Sequence, residues 1–464
     1  MSVTEQLNDL MKALEAGSYN AAPGQLAQGA ALQVEDLSPV MENVTFDDSH
    51  IKLQKMLSVK DAKSTLIQFN RQLDYGIFGG SAQFEGGIGE EDTSNYVRAI
   101  VPMSYYSTTR RVSVAANLIG AMDGRKAEDR SAADAAMKLS ADIEFDCFRG
   151  QADFSNAGIF DGDPGAQAQV PNMRGVDAQV RESDAQSNTQ DLMFAEYGSD
   201  QTVVVSVNGT LSQSAIEDAS VKSAMQHGSA DRLLLDPISL SAYNKIAHAK
   251  ERIMLAGSAQ ESSGAELRKQ WTSSALVSLE PSRFLSGKTR PARSRAGSPA
   301  APGALTVTSP ADAASSLAAG DYVYKVTAVN ERGESSETAA ATATIAAGDR
   351  GNVSIPAVSG AKYYNVYRSE DGGSAASAKF IGRVKAAASG ATEFRDLGNR
   401  APGSVTGFLI QGNTMALHQL SPYSRLKLAL SDLSLPEAHF RFLCLAAMQP
   451  RKNVLLENIE GQLS

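Results

Sequence analysis

From Ser64 onward the apolar and polar positions alternate. In STLIQFNRQLDYG the residues Leu66, Phe69, Leu73 and Tyr75 stand between polar neighbours, and SNYVRAIVPMSYYSTTRRVSVAANLIG is rich in β-branched and aromatic residues. Both stretches predict strands. The run YGIFGGSAQFEGGIGEED joins them, so the pair predicts an extended hairpin with a glycine-rich tip. The period then changes. DRSAADAAMKLSADIEFDCFRG has no proline or internal glycine and predicts a helix from Asp129 to Gly150. Its expected apolar stripe is Ala133, Met137, Ala141, Phe145 and Phe148, extended by Ile143 and Cys147, with Gly150 as the stop.

Residues 151–190 are polar and turn-rich. Residues 192–280 predict a mixed α/β region: TVVVSVNG a short strand, SQSAIEDASVKSAMQHG a helix, RLLLDP a strand ending at Pro237, and SLSAYNKIAHAKERIML a second helix. SGKTRPARSRAGSPAAPG has almost nothing to bury and reads as a linker. Beyond it DYVYKVTAVNERGESSE, NVSIPAV, KYYNVYRSEDGG, KFIGRV and TEFRDLG are short strands between Gly, Ser and Asn turns, which predicts a small β-sandwich. A second linker follows at NRAPGSV, and from Gly407 the earlier mixed character is expected to resume. The sandwich therefore reads as an insertion.

The first sixty residues are a polar arm, apart from Leu7, Leu10, Met11 and Leu14, which fit one face of a short helix. Such an arm cannot fold alone and is expected to lie on another surface, its own or a neighbour's. At 464 residues the chain should hold about three domains. No window approaches the roughly 18 apolar residues of a membrane span, and the N-terminus lacks the pattern of a secretory signal. Two cysteines, Cys147 and Cys444, argue against a disulfide framework and predict buried thiols. A net charge of -9 argues against the basic surface that drives nucleic-acid binding.

Chemistry is sparse. The glycine run fails as a phosphate loop, because no Lys and Ser/Thr follow it and it leads into Glu90, Glu91 and Asp92, which repel phosphate. Those three acids read as a solvated patch rather than as metal ligands or a general acid/base pair. His50, His227, His248, His418 and His439 are scattered, and neither HExxH, an EF-hand nor G-x-S-x-G occurs. No catalytic, cofactor or metal site is expected, and no enzyme. The basic run Lys288, Arg290, Arg293 and Arg295 reads as a solubilising linker, with contact to nucleic acid or an acidic neighbour as the alternative.

The order of these elements resembles the major capsid protein of tailed bacteriophages, the HK97-like fold, an α+β architecture. The phrases ALQVEDLSPVMENVTFDDSHIKLQKM, STLIQFNRQLDYGIFGGSAQFEGG and DRSAADAAMKLSADIEFDCFRG carry the resemblance, which covers residues 30–290 and 405–464. It implies an N-terminal arm (1–62), an E-loop hairpin (63–100), a peripheral domain (101–191) with a spine helix (129–150), an axial domain (192–296), and a return to axial and peripheral domains (405–464). The insert (297–404) resembles a fibronectin type III or immunoglobulin-like domain, with YVYKVTAVNERGESSE and VSGAKYYNVYRSEDGG as its halves in swapped order.

The implied function is a subunit that self-assembles in hexamers and pentamers into an icosahedral shell around a phage genome, in the virion after assembly in host cytoplasm. The sandwich would project from the outer surface on two flexible linkers. Scaffolding, portal and cement proteins are the implied partners; DNA would be touched only nonspecifically, and no membrane is involved. Some members crosslink through a lysine of the E-loop, but no lysine lies between Lys63 and Lys126, so that reaction is not expected. The implied inter-subunit contacts are Tyr75, Phe78, Gly79, Gly80, Phe84, Gly86, Gly87, Glu90, Glu91 and Asp92, with Arg110 and Arg111 as basic partners for the acids. An encapsulin-like compartment shares the fold; the length and the insertion argue against it. A second reading is a phage or bacterial surface protein whose sandwich binds carbohydrate, with Tyr363, Tyr364 and Tyr367 stacking on sugar unless YYNVY is an ordinary strand alternating between core and surface.

Overall fold

A computed structural model describes residues 47–72, 75, 82–89, 91, 93–94, 96–119, 126–152, 172–185, 202–250, 268–286, 297–330, 332–430 and 432–461. The predicted helix near Leu7, most of the arm, Phe78, Gly79, Gly80, Glu90, Asp92 and the basic run from Lys288 to Arg295 lie outside them.

The architecture is α+β. The end of the arm is woven into the subunit: a short helix α1 (Leu53–Met56) leads to β1 (Ser58–Asp61), which pairs in parallel with the long β18 (Met415–Lys427). β2 (Leu66–Gln72) and β3 (Tyr96–Pro102) form the expected hairpin as an isolated antiparallel pair. The second predicted strand is in fact two. Pro102 has no N–H for a sheet ladder and the chain breaks there. β4 (Ser104–Ser113) then joins another sheet, and α2 (Val114–Ile119) follows.

The long helix α3 runs from Ala127 to Arg149. Its buried stripe is the predicted one only in part: Phe148, Ile143 and Cys147 are buried as expected, but the line runs elsewhere. Ala135, Leu139, Ile143 and Cys147, spaced at i,i+4, face the core, while Ala133 is exposed and Met137, Ala141 and Phe145 are only half-buried. Ala-rich turns offered two equally apolar faces, and packing chose between them. Gly150 ends the helix, but not through a left-handed cap. A Cβ there would sit 2.1 Å from the carbonyl oxygen of Met173, so glycine is required by the crossing of two backbones.

α3 lies across a four-stranded sheet of order β1-β18-β19-β4, in which β19 spans Ser434–Ala447. α4 (Val176–Ala185) follows. A six-stranded sheet has the order β5 (Val204–Gly209), β20 (Val454–Ile459), β17 (Val405–Ile410), β6 (Arg232–Leu235), β8 (Leu276–Pro281) and β7 (Lys269–Trp271). α5 (Gln213–Met225) and α6 (Pro237–Lys250) accompany it. One hydrophobic core, including Ile143, Phe148, Leu234, Phe408, Leu445 and Leu455, joins both sheets to α3. α6 begins at Pro237, where a missing N–H costs nothing, and Asp236 accepts the Ile238 N–H at 3.0 Å. The segment after Gly407 is not mixed among the described residues, where β17 to β20 and two 3₁₀ turns make it up. Its unbroken apolar runs, such as FLCLAAM, have no period that separates strand from helix.

Residues 306–396 build a two-sheet sandwich around its own core of Tyr324, Val326, Val353, Tyr364, Val384 and Phe394. One sheet pairs β9 (Thr306–Thr308), β13 (Gly351–Ile355) and β16 (Thr392–Asp396). In the other, β10 (Gly320–Asn330) takes β11 (Gly333–Glu334) and β12 (Ala341–Ile345) on one edge and β14 (Tyr363–Arg368) on the other, and β15 (Lys379–Lys385) closes it. β9 and β12 escaped prediction because TVT and ATATI are short and poor in large apolar residues.

Candidate inter-subunit surfaces

The β2–β3 hairpin has two unlike faces. Register pairs Ile67 with Val101 and Phe69 with Ala99 on the inward face, where Ile67, Phe69 and Val101 pack with Met103, Phe442, Cys444 and Ala446 of the four-stranded sheet. Arg71 pins the same face by donating to the carbonyls of Met448 (3.0 Å) and Ala447 (2.7 Å), and its guanidinium lies over the Phe69 ring. The outward face carries Leu66, Gln68, Asn70, Tyr96, Arg98 and Ile100, all exposed.

Toward the tip, Tyr75, Phe84 and Ile88 are 91%, 95% and 93% exposed. A turn closes there through the Gly87 N–H donated to the Phe84 carbonyl at 2.8 Å, and Gly86 takes φ +85° as the third turn residue. That conformation, rather than space, is why glycine stands at 86: nothing lies within 4 Å of its would-be Cβ. Glu91 is exposed beside the tip.

Arg110 and Arg111 lie on β4, in the sheet that bears the hairpin. Arg111 is exposed and pairs with Asp432 at 2.9 Å. Arg110 sits opposite Glu437 in the β19 register, and its Nε is buried without a hydrogen bond. Near them is a surface that sequence reasoning missed: Leu118 of α2 with Leu426, Leu430 and Leu433 around the β18–β19 turn are exposed, and the Val114 N–H donates to the Leu433 carbonyl. Isolated leucines in a polar stretch such as LALSDLSL gave no period to mark them.

Both ends of α3 are tied down. At its start Arg425 of β18 pairs with Glu128, with Asp129 at 3.3 Å and with Glu437 at 2.7 Å, and Lys427 reaches Glu128 at 2.9 Å. These acids also suit the positive end of the helix dipole. Near its end three consecutive residues point to three parts of the chain. The fully buried Glu144 carboxylate accepts the backbone N–H groups of Lys52 (3.0 Å), Leu53 (2.7 Å) and Gln54 (3.0 Å), capping α1 and holding the end of the arm. Phe145 faces Arg383 of the sandwich. Asp146 accepts from the Tyr106 hydroxyl at 2.6 Å and from Asn172.

Burial pushes the Asp146 carboxyl up to about 6 from an ordinary 3.8, against the Tyr106 and Asn172 hydrogen bonds that pull it down. The folded chain therefore holds a proton that the unfolded chain has lost between those two values. Stability contributed by this group falls as pH rises through that window. Unfolding in urea should accordingly show a loss on the order of 1 kcal/mol from pH 5 to pH 7 that Asp146→Asn lacks. An identical pH slope in the variant would remove Asp146 as its source.

In the sandwich Tyr364 and Tyr367 are buried, the second donating to the Glu334 carboxylate at 2.8 Å, and Tyr363 is half-covered by Arg383. None of the three stands free to stack on a sugar. Among the described residues no group of three or more His, Cys, Asp or Glu could hold a metal ion, and no helix is long and apolar enough to cross a membrane. Both cysteines are buried free thiols.

An arm end, an outlying hairpin, one long helix on a strand-rich sheet and a second sheet flanked by helices follow one another along the chain. This is the element order that the resemblance read from the sequence implied. No protein-family model matches the sequence, and no curated protein is significantly similar to it. Among solved structures the chain is similar to the capsid of a native GTA particle, at 10% identity and a TM-score of 0.48, over 96% of this chain and 100% of that one. It is also similar to the capsid of Myoviridae phage XM1, at 9% identity and 0.44 over 94% and 100%, and to the SrpI encapsulin of Synechococcus elongatus PCC 7942, at 8% and 0.40 over 91% and 93%.

Proposed function

We propose that this chain is a shell-forming structural subunit, the major capsid protein of a tailed phage, which self-assembles into an icosahedral capsid and displays its sandwich on the outer surface. The observation that carries this reading is the hairpin: its inward face is anchored, while the other face and the aromatic tip stand in solvent. Burying a large apolar side chain contributes roughly 1.5–3 kcal/mol, and three such residues at one tip gain that only against another molecule. A second copy is the natural recipient, since an overlapping element gives and receives the same contact around a closed ring. Tyr75, Phe84, Gly86, Gly87 and Glu91 would meet the neighbour, and Phe78, Gly79, Gly80, Glu90 and Asp92, close by in sequence, are proposed with them. The exposed leucines beside Arg111 are a candidate receiving surface.

On this reading the protein resides in the virion, its first partner is itself, scaffolding, portal and cement proteins are further partners, and packaged DNA is touched only nonspecifically. No catalytic role is assigned. Electron microscopy of the purified chain should show large particles or rings, and a variant with Ala301 to Pro402 replaced by a short linker should form them too. Monomers under every condition would overturn the shell reading. Loss of assembly in the deletion alone would make the sandwich part of the shell rather than an outward display.

A further inference from the structure

The sandwich is held at two places by one of its own strands. At the first, the Arg383 guanidinium of β15 lies 5.6 Å from the centre of the Phe145 ring on α3, 5.2 Å from that of Tyr363 and 6.0 Å from that of Phe380. The cation therefore sits among aromatic rings from the sandwich and one from the helix. Its charge faces the buried Asp146 carboxylate on the next helix residue. Its Nε is buried with no hydrogen-bond partner, so electrostatic attraction to the rings and the carboxylate is what holds it there.

At the second place the returning chain is pinned. The Phe380 carbonyl of β15 accepts the Gly403 N–H at 3.2 Å, and the Lys379 stem covers Gly403, where a Cβ would fall 2.7 Å from Lys379 Cδ. Two residues earlier, the Ala401 N–H donates to Asn458 Oδ1 at 3.1 Å, and the Ser404 hydroxyl reaches the same atom at 3.3 Å. Asn458 belongs to β20, adopts φ +55°, and donates to Asn208 of β5 at 3.1 Å. The return linker is thus bonded to the sandwich on one side and to the six-stranded sheet on the other. A chain tethered by two flexible linkers needs none of these contacts.

We propose that β15 is a docking strand and Arg383 a latch, which fix the orientation of the sandwich on α3 so that the insert turns with the helix instead of swinging freely. The helix turn that holds the latch also holds the arm through Glu144 and the four-stranded sheet through Asp146. A shift of α3 along or about its axis is therefore passed to the sandwich. The proposal stands whether or not the chain forms a shell, because it concerns contacts within one subunit.

Time-resolved fluorescence anisotropy of the full chain tests it. Ser374 is exposed on the sandwich and its side chain makes no capping bond, and both native cysteines are buried, so Ser374→Cys accepts a thiol-reactive dye selectively. With Arg383 and Phe145 both intact the dye should report only the slow tumbling of the whole particle or chain, beyond its own local motion. Arg383→Ala should add a component several-fold faster, the motion of a released sandwich. Phe145→Ala should add the same component, and it lies outside the sandwich, so it decides the matter even if Arg383→Ala disturbs the sandwich fold. Arg383→Lys keeps the charge, loses the flat stacking group, and should fall between. A fast component already present with both Arg383 and Phe145 intact, or none in Phe145→Ala, would overturn the latch.

Discussion

Tyr96→Asp together with Ile100→Asp is expected to leave the subunit folded and to abolish particle formation. The two side chains are 66% and 48% exposed on the outward face of the hairpin, so in the free subunit the change alters little that is buried. Surface substitutions of this kind usually move stability by about 0.5 kcal/mol or less. Across a desolvated interface the same two carboxylates lack partners and cost several kcal/mol in total, repeated in every subunit of the ring. Size-exclusion chromatography with light scattering would read the loss of particles, and circular dichroism the intact fold. Ile67→Asp is the inverse control: it strikes the inward face against Val101 and should destabilise the subunit itself. Normal particles from the double variant would show that the outward face stays in solvent, and the inter-subunit role of the hairpin would fall.

Glu144→Ala is the second change with a large expected effect. It removes one buried carboxylate and leaves three backbone N–H groups of the arm without their acceptor. Hydrogen bonds to a charged group contribute about 1.5–3 kcal/mol each, and they are not additive, so a loss on the order of 3–5 kcal/mol is expected in urea unfolding. Hydrogen exchange at residues 52–54 should accelerate far more than exchange in the middle of α3. Glu144→Gln, which keeps an acceptor but loses the charge, should cost less. Unchanged exchange at those amides would mean that the arm is held by the packing of Leu53 and Leu57 alone.

Much of this architecture was legible in residue order. The hairpin showed in the alternation around Phe69, and α3 in an uninterrupted run of helix formers, found within two residues at its start and one at its end. The sandwich showed in its short alternating strands between turn residues. Less was legible wherever two outcomes bury similar surface. The phase of α3 is one case, since alanine-rich turns carry apolar residues on adjacent faces and only the sheet beneath selects one. The return after Gly407 is another, because FLCLAAM suits a buried strand and a buried helix equally. The leucines around the β18–β19 turn were invisible for a third reason: scattered in sequence, they become a surface only when the turn brings them beside α2.

The glycine-rich tip divides the same way. Sequence alone excluded a phosphate cradle, through the acids where a lysine would be needed, and it marked a bend where glycine is required. That reasoning is local, resting on side-chain chemistry and backbone sterics. Which face of the hairpin is anchored, which is left exposed, that Glu144 closes on an arm some ninety residues away, and that Arg383 settles on Phe145 were decided by tertiary structure. Those outcomes depend on distances between residues far apart in the chain, and burial and charge pairing act through such distances rather than through sequence order.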